Sequence, residues 1–143
     1  MQFDETDSRL IALLSENARA PVATLARKLS IARTTVQARI ERLEKSGAID
    51  GYTIRKGALS RPPLRATVLI GVEPRSGPAV LARLSALPNV EQVHTTSGRW
   101  DLIATLSAAD TETLDRTLDE IGAAKGVKGS ESLIHLSTKL DRS

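Results

Sequence analysis

The stretch from Arg33 to Lys45 carries base-reading chemistry at helical spacing. Val36, Ile40 and Leu43 recur four and three apart, so one face is apolar. On a wheel of about 100° per residue, Thr34, Ala38, Glu41 and Lys45 fall opposite that face. Gln37 flanks them on one side, Thr35 and Arg42 on the other. Gln pairs bidentately with adenine, Thr and Ala methyls meet the thymine methyl, and Arg takes guanine or phosphate. The candidate DNA contacts are therefore Arg33, Thr34, Thr35, Gln37, Ala38, Arg42 and Lys45, with Arg55 and Lys56 beyond the helix. A three-helix bundle with a merely wet polar face fits the helices as well. The adjoining basic residues Arg55, Lys56, Arg61 and Arg65 tip the balance toward DNA. Glu41 reads as the i,i+4 partner of Lys45 rather than as a cytosine reader. Arg39, beside the apolar stripe, reads as half-buried and paired with a carboxylate rather than placed on a phosphate. Tyr52 either touches the DNA backbone or packs under the first domain.

A second constellation lies at Thr95, Thr96, Gly98, Trp100 and Asp101. A free amino acid needs a carboxylate for its ammonium and hydroxyl or backbone donors for its carboxylate. Asp101 offers the first; Thr96, Ser130 and Ser132 offer polar contacts, and Trp100 a flat wall. No charged cluster is placed to meet the ligand's own side chain, which points to a neutral one. Taken alone, the corner reads as a turn in which Gly98 supplies positive φ and Asp101 bonds neighbouring amides. Catalysis finds little support. The chain has no cysteine, and His94 and His135 fall on separate strands without metal-ligand spacing. No nucleophile elbow, Walker loop or GxGxxG occurs.

The elements that must position these residues change period midway. Asp4 or Thr6 caps a helix with Leu10, Ile11, Leu13 and Leu14, which Asn17–Pro21 breaks. Val22, Leu25, Ala26 and Leu29 make a short second helix with Pro21 at its start. The third runs from Arg33 to Lys45, and Gly47 ends it. Short helix, tight turn, amphipathic helix is the helix-turn-helix pattern. Residues 48–54 read as a short strand or hairpin, which would make the domain winged, and Arg61-Pro62-Pro63 as a stiff linker. Thereafter strands at 65–72, 90–96, 100–106 and 130–136 alternate with helices at 76–86 and 111–121. The expected class is α+β: an N-terminal helix-turn-helix (winged-helix-like) domain over 1–60, then a ferredoxin-like βαββαβ sandwich over 64–143. Such a sheet covers one face with helices. Either Val68 and Ile70, or Leu69 and Val72 in the opposite register, face its uncovered side, and pairing two sheets would cover it.

Composition narrows the classes. A chain of 143 residues with 41% hydrophobic side chains can bury a core without staples. Absence of cysteine excludes disulfide frameworks and thiol nucleophiles. Three aromatics are too few for an RNA-stacking sheet. Residues 1–65 carry a formal charge of +5 and residues 66–143 of −2, which suits a polyanion-binding module joined to a neutral platform. The N-terminus lacks a basic segment and an apolar core, so no signal peptide is expected. Val68–Val72 is too short to span a bilayer. A cytoplasmic protein without membrane partner is expected.

At fixed spacings the sequence reads Phe3-Asp4-x-x-Asp7, Ile11-x-x-Leu14, Asn17-Ala18-Arg19, Leu25-Ala26, Thr35-Val36-x-x-Arg39-Ile40-x-Arg42-Leu43-Glu44-x-x-Gly47-x-Ile49-x-Gly51-Tyr52. This run, with Ser97-Gly98-Arg99-Trp100-Asp101-Leu102 in the second half, resembles the Lrp/AsnC (feast/famine) transcription regulators over nearly the whole chain. The resemblance implies a DNA-binding first domain. It implies a second domain that dimerises, assembles further (to an octamer in that family) and binds an amino acid rather than a cofactor. It also raises the corner from a turn to an effector site formed by Thr96, Gly98, Trp100, Asp101, Ser130 and Ser132, since Ser130 and Ser132 match paired family Thr positions. The chain departs from the family pattern where Ala32 replaces a hydroxyl cap, with Ser30 as a displaced substitute, and where Trp100 replaces Tyr. Two alternatives stand beside this reading. One is a sirohaem-decarboxylase-like enzyme on the same fold, using His94; the other is a ligand-independent architectural DNA-binding protein.

Overall fold

A computed structural model of the chain describes residues 3–143. The chain divides into two compact units, Met1–Lys56 and Gly57–Ser143. Within the described residues the first unit is three helices: α1 (Glu5–Glu16), α2 (Val22–Leu29) and α3 (Arg33–Lys45). Asp4 caps α1 by accepting the Asp7 N–H at 2.8 Å, and the Asp7 side chain reaches back to the Asp4 N–H, closing a capping box. Pro21 precedes α2 with extended backbone. Ser30 ends α2 in the left-handed region at φ 57°, so α2 and α3 are joined by only Ser30, Ile31 and Ala32. Gly47, at φ 81°, ends the turn after α3. Leu10, Leu14, Leu25, Ala26, Leu29, Val36 and Leu43 form the core of this unit, with Ile40 at its margin.

The strand or hairpin expected over 48–54 does not form. Ile49 packs on the core, but Gly51 to Lys56 run exposed and irregular. β-propensity in Tyr52-Thr53-Ile54 is not enough, because a strand needs a ladder partner, and the first unit offers none among its described residues. The helix-turn-helix is therefore wingless there.

The second unit follows the order β1 (Leu64–Val72), α4 (Gly77–Ser85), β2 (Val90–Thr95), β3 (Leu102–Ala108), α5 (Thr111–Gly122), β4 (Val127–Ile134). Among the described residues the strands make one sheet in the order β2-β3-β1-β4, every neighbour antiparallel. Ala66, Val68 and Ile70 of β1 and Leu102, Ala104, Leu106 and Ala108 of β3 point to one face, where Val80, Leu84, Leu114 and Ile121 of the two helices complete the core. Leu69, Ile103 and Leu133 fall on the uncovered face with Thr67 and Thr105, as the pairs Leu69–Ile103 and Thr67–Leu133 require. Val68 and Ile70 thus face inward. A bulge at Gly71/Val72 turns Val72 back against the core, so of the alternative pair only Leu69 stays on the open side. Strand boundaries differ from expectation by one residue in β1 and β2 and by two or three at each end of β3 and β4. β3 begins at Leu102, leaving Trp100 and Asp101 in the turn, and β4 begins at Val127, because its ladder with β1 starts opposite Val72. Gly126 sits where β4 leaves α5, at φ 96°, and a Cβ there would lie 2.6 Å from that of Ser76. No helix among the described residues is long and apolar enough to cross a membrane.

Candidate functional site

Val36 and Leu43 anchor α3 in the core, and this places Arg33, Thr34, Thr35, Gln37, Ala38, Glu41, Arg42 and Lys45 on exposed positions. All seven helical candidates are thereby brought to one element. Arg33, Thr34 and Thr35 stand in its first turn, Gln37 and Ala38 in the second, and Arg42 and Lys45 toward its end. The start of α3 is bare. Ala32 stands at the N-cap without a side-chain bond, and Ser30 does not substitute, because its left-handed backbone closes α2 instead. First-turn amides are thus left for solvent or an anion. Glu41 and Lys45 make no ion pair within 4.0 Å among the described residues; both are exposed and hydrated, where such a pair gains little.

Beneath α3 lies a cluster that holds it to α1. Asp7 is the one charged side chain buried among the described residues, 1% exposed. Its carboxylate accepts from Arg39 Nη1 at 2.9 Å and from Arg42 Nη2 at 2.9 and 3.0 Å. Arg39 Nη1 also donates to both Asp4 oxygens, at 2.7 and 2.9 Å. Arg39 is therefore the paired, half-buried residue expected. The Asp7 backbone N–H, and after it the Arg39 guanidinium, hold the Asp4 carboxyl below the usual carboxylate range. Asp4 and Asp7 in turn raise the Arg39 pKa further above its already high value. Arg42, expected on guanine or phosphate, spends one nitrogen on Asp7 and stays half exposed. This cluster escaped the sequence reading. Its trace was there: two acids three apart, Asp4 and Asp7, and two arginines three apart, Arg39 and Arg42, beside the apolar stripe.

The basic stretch after α3 is dispersed. Arg55 donates to the Glu16 carbonyl at 3.0 Å, satisfying the C-terminus of α1. Lys56 closes the first unit, whereas Arg61 and Arg65 belong to the second, where Arg65 lies 3.6 Å from Glu91. Tyr52 turns to Glu44 at the end of α3. Burial, then the Glu44 carboxylate, raises the pKa of its hydroxyl.

In the second unit the sequence candidates fall into two groups with β1 between them. Thr96 Oγ1 donates to the Trp100 carbonyl at 2.7 Å, and the Thr96 N–H to that of Asp101 at 3.0 Å, which closes the β2–β3 turn around Gly98 at φ 100°. Arg99 stacks 5.6 Å from the Trp100 ring centre. Asp101 accepts the Val72 N–H at 2.7 Å through Oδ2 and so bonds a neighbouring strand, as the turn reading required. Its other oxygen has no partner among the described residues. Ser130 and Ser132 stand on β4 opposite Ile70 and Val68, about 10 Å away across two strand spacings. His94 and His135 are further apart still in the sheet order: His94 on β2, His135 just past β4 and 2.8 Å from the Thr67 hydroxyl. No group of three metal-ligating side chains occurs among the described residues.

A bare-ended, polar-faced helix on a three-helix core, followed by a helix-covered antiparallel sheet, defines a two-part helix-turn-helix DNA-binding protein. Comparison with known proteins agrees. Residues 3–44 match the AsnC-type helix-turn-helix domain and residues 65–143 the Lrp/AsnC ligand binding domain. Among similar proteins is the HTH-type transcriptional regulator LysM of Saccharolobus solfataricus, 31% identical with 95% of each chain covered. Another is the HTH-type transcriptional regulator FL11 of Pyrococcus horikoshii, 31% identical over 95% of this chain and 91% of its own. The fold matches that of Escherichia coli AsnC (TM-score 0.90, 22% identity, 100% of this chain and 98% of that one). It also matches the transcriptional regulator NMB0573 of Neisseria meningitidis, solved as an L-Met complex (TM-score 0.89, 19% identity, 98% and 94% covered). The chain belongs to the Lrp/AsnC family of transcriptional regulators.

Proposed function

We propose that residues 1–60 bind duplex DNA with α3 in the major groove, while residues 64–143 dimerise and bind an amino acid that tunes assembly or DNA affinity. The observation that carries this reading is the exposed face of α3, polar along its length and uncapped at its start, on an apolar core. Thr34, Thr35, Gln37 and Ala38 read bases; Arg33, Arg42, Lys45, Arg55 and Lys56 hold the backbone. Apolar Leu69, Ile103 and Leu133 on the uncovered sheet face support a homodimer through that face, with further assembly into higher oligomers as a later step. For the effector, Asp101 keeps one free oxygen for an ammonium, beside Trp100, Thr96 and Gly98. Ser130 and Ser132, on the far side of β1, complete a site only if a second protomer brings its own copy close. A neutral amino acid suits a corner whose Arg99 is stacked on Trp100 and whose Asp101 is reserved for the ammonium. The L-Met held by the N. meningitidis neighbour supports that class of ligand. We read the protein as a cytoplasmic regulator and not an enzyme, because the two histidines lie toward opposite edges of the sheet and His135 is engaged with Thr67.

Fluorescence anisotropy with labelled duplexes tests the reading. Affinity falls about tenfold or more between about 50 and about 200 mM salt. Lys56→Ala weakens all duplexes alike, whereas Gln37→Ala relaxes preference at particular bases. Absence of duplex binding at low salt, with and without amino acids, would sink the DNA-binding role. Titration calorimetry with the common amino acids tests the effector: Asp101→Asn keeps an acceptor for Val72 but loses the charge that an ammonium needs, so its binding disappears.

A further inference from the structure

Apolar contacts hold α3 down but are non-directional, so Val36 and Leu43 do not by themselves fix its rotation about its own axis. Rotation matters for reading bases. A turn of about 20° swings a side chain at the helix's outer radius of about 5–6 Å by about 2 Å, which breaks a hydrogen bond. Something directional must set the angle, and the cluster beneath α3 is that. Arg39 and Arg42 stand one turn apart and converge on a single carboxylate, Asp7, from one helix onto another. Exposure rises outward along the chain of contacts: Asp7 1%, Arg39 22%, Arg42 52%. Asp7 takes only Nη2 of Arg42, and the rest of that guanidinium has no partner among the described residues. The planar group is therefore held from behind and left open in front.

We propose that Asp7 is a positioning residue for DNA recognition: through Arg39 and Arg42 it sets the rotation of α3 and presents the outer N–H groups of Arg42 to a backbone phosphate. The proposal rests on the DNA-binding reading above. Asp7 touches no DNA in this account. Its negative charge, indeed, opposes non-specific attraction to a polyanion. The acid thus trades bulk affinity for correct placement, and its removal has opposite effects on the two kinds of binding.

The test uses the full chain and two probes: a duplex that the wild type selects from a random-sequence library, and a scramble of equal composition. Both are measured well below each variant's unfolding midpoint. Asp7→Asn lowers the preference for the selected duplex at least tenfold and leaves affinity for the scramble equal or higher, since a negative charge is removed and no cation is lost. Asp7→Glu, which keeps the charge, recovers most of the preference. Should Asp7→Asn not fold, Arg39→Lys serves in its place, since it keeps the charge but loses the fixed guanidinium fork; it lowers the preference in the same direction. Parallel loss on both duplexes, or an unchanged preference in a folded variant, overturns the proposal and leaves Asp7 a stabilising residue only. A wild type that binds neither duplex overturns instead the DNA-binding reading, and the proposal with it.

Discussion

The two units solve the placing of a working surface in different ways. In the first, a small aliphatic core carries a helix whose outer face must stay polar, and a buried acid with two arginines orients it. In the second, β1 and β3 lay Ala66, Val68, Ile70, Ala104 and Leu106 against two helices, and no buried charge takes part among the described residues. Packing alone orients that sheet, because alternation along each strand and the ladder register admit only one arrangement. A lone helix lying on a core has no ladder, so its angle must be set by directional bonds. Directional bonds between ions respond to pH and salt, whereas apolar packing responds to lost volume, and this difference can be tested.

The largest effect belongs to the packed unit. Leu106→Ala, at a fully buried position, costs about 3–4 kcal/mol. Followed in urea by the fluorescence of Trp100, which lies in the second unit, the loss is the same at low and high salt. Gly126→Ala follows with about 2 kcal/mol, from positive φ and the contact with Ser76. In the first unit Arg39→Ala comes next: Asp7 keeps Arg42 and the Asp4 N–H but loses one of its two guanidinium partners, and far-ultraviolet dichroism shows the loss of stability shrinking in about 1 M salt. If that loss does not change with salt, the contrast between the units is wrong. Ala32→Ser supplies the missing cap of α3 and raises thermal stability by about 1 kcal/mol. The smallest effect is that of Asp4. Because folding lowers its pKa, its contribution is complete above the ordinary carboxylate value and is lost as pH falls through the lower, folded one. Asp4→Asn removes that part of the acid dependence, seen as unfolding midpoints of variant and wild type that converge toward low pH.

Helices were legible where one residue type does a local job. Asp4 with Asp7, Pro21 before α2 and Gly47 after α3 all mark ends by bonds within a few residues. Strands were legible where they alternate, as in β1 and β3. Misplaced ends came from partners distant in sequence. Val127-Lys128-Gly129 looks like a loop until Val72 and Gly71 pair with it, and Tyr52-Thr53-Ile54 looks like a strand although nothing pairs with it. The exposed polar face of α3 followed from its period, but the tie of Arg42 to Asp7 did not. Asp7 lies 35 residues away, and charge complementarity over that span leaves no local pattern. Asp101 shows the same limit, since its tie to Val72 crosses 29 residues.

The bare start of α3 has a further consequence, visible in time rather than in space. Arg33, Thr34 and Thr35 follow an Ala cap that accepts no hydrogen bond through its side chain, so their backbone protons are open to water while the helix behind them is closed. In the free protein these three amides should exchange for deuterium almost as fast as in an unfolded peptide, against slow exchange from Val36 onward, whose N–H bonds the Ala32 carbonyl. A phosphate or base edge that occupies them should slow them together. The first turn of α3 is thereby a built-in reporter, read in exchange, of the moment at which those amides are covered.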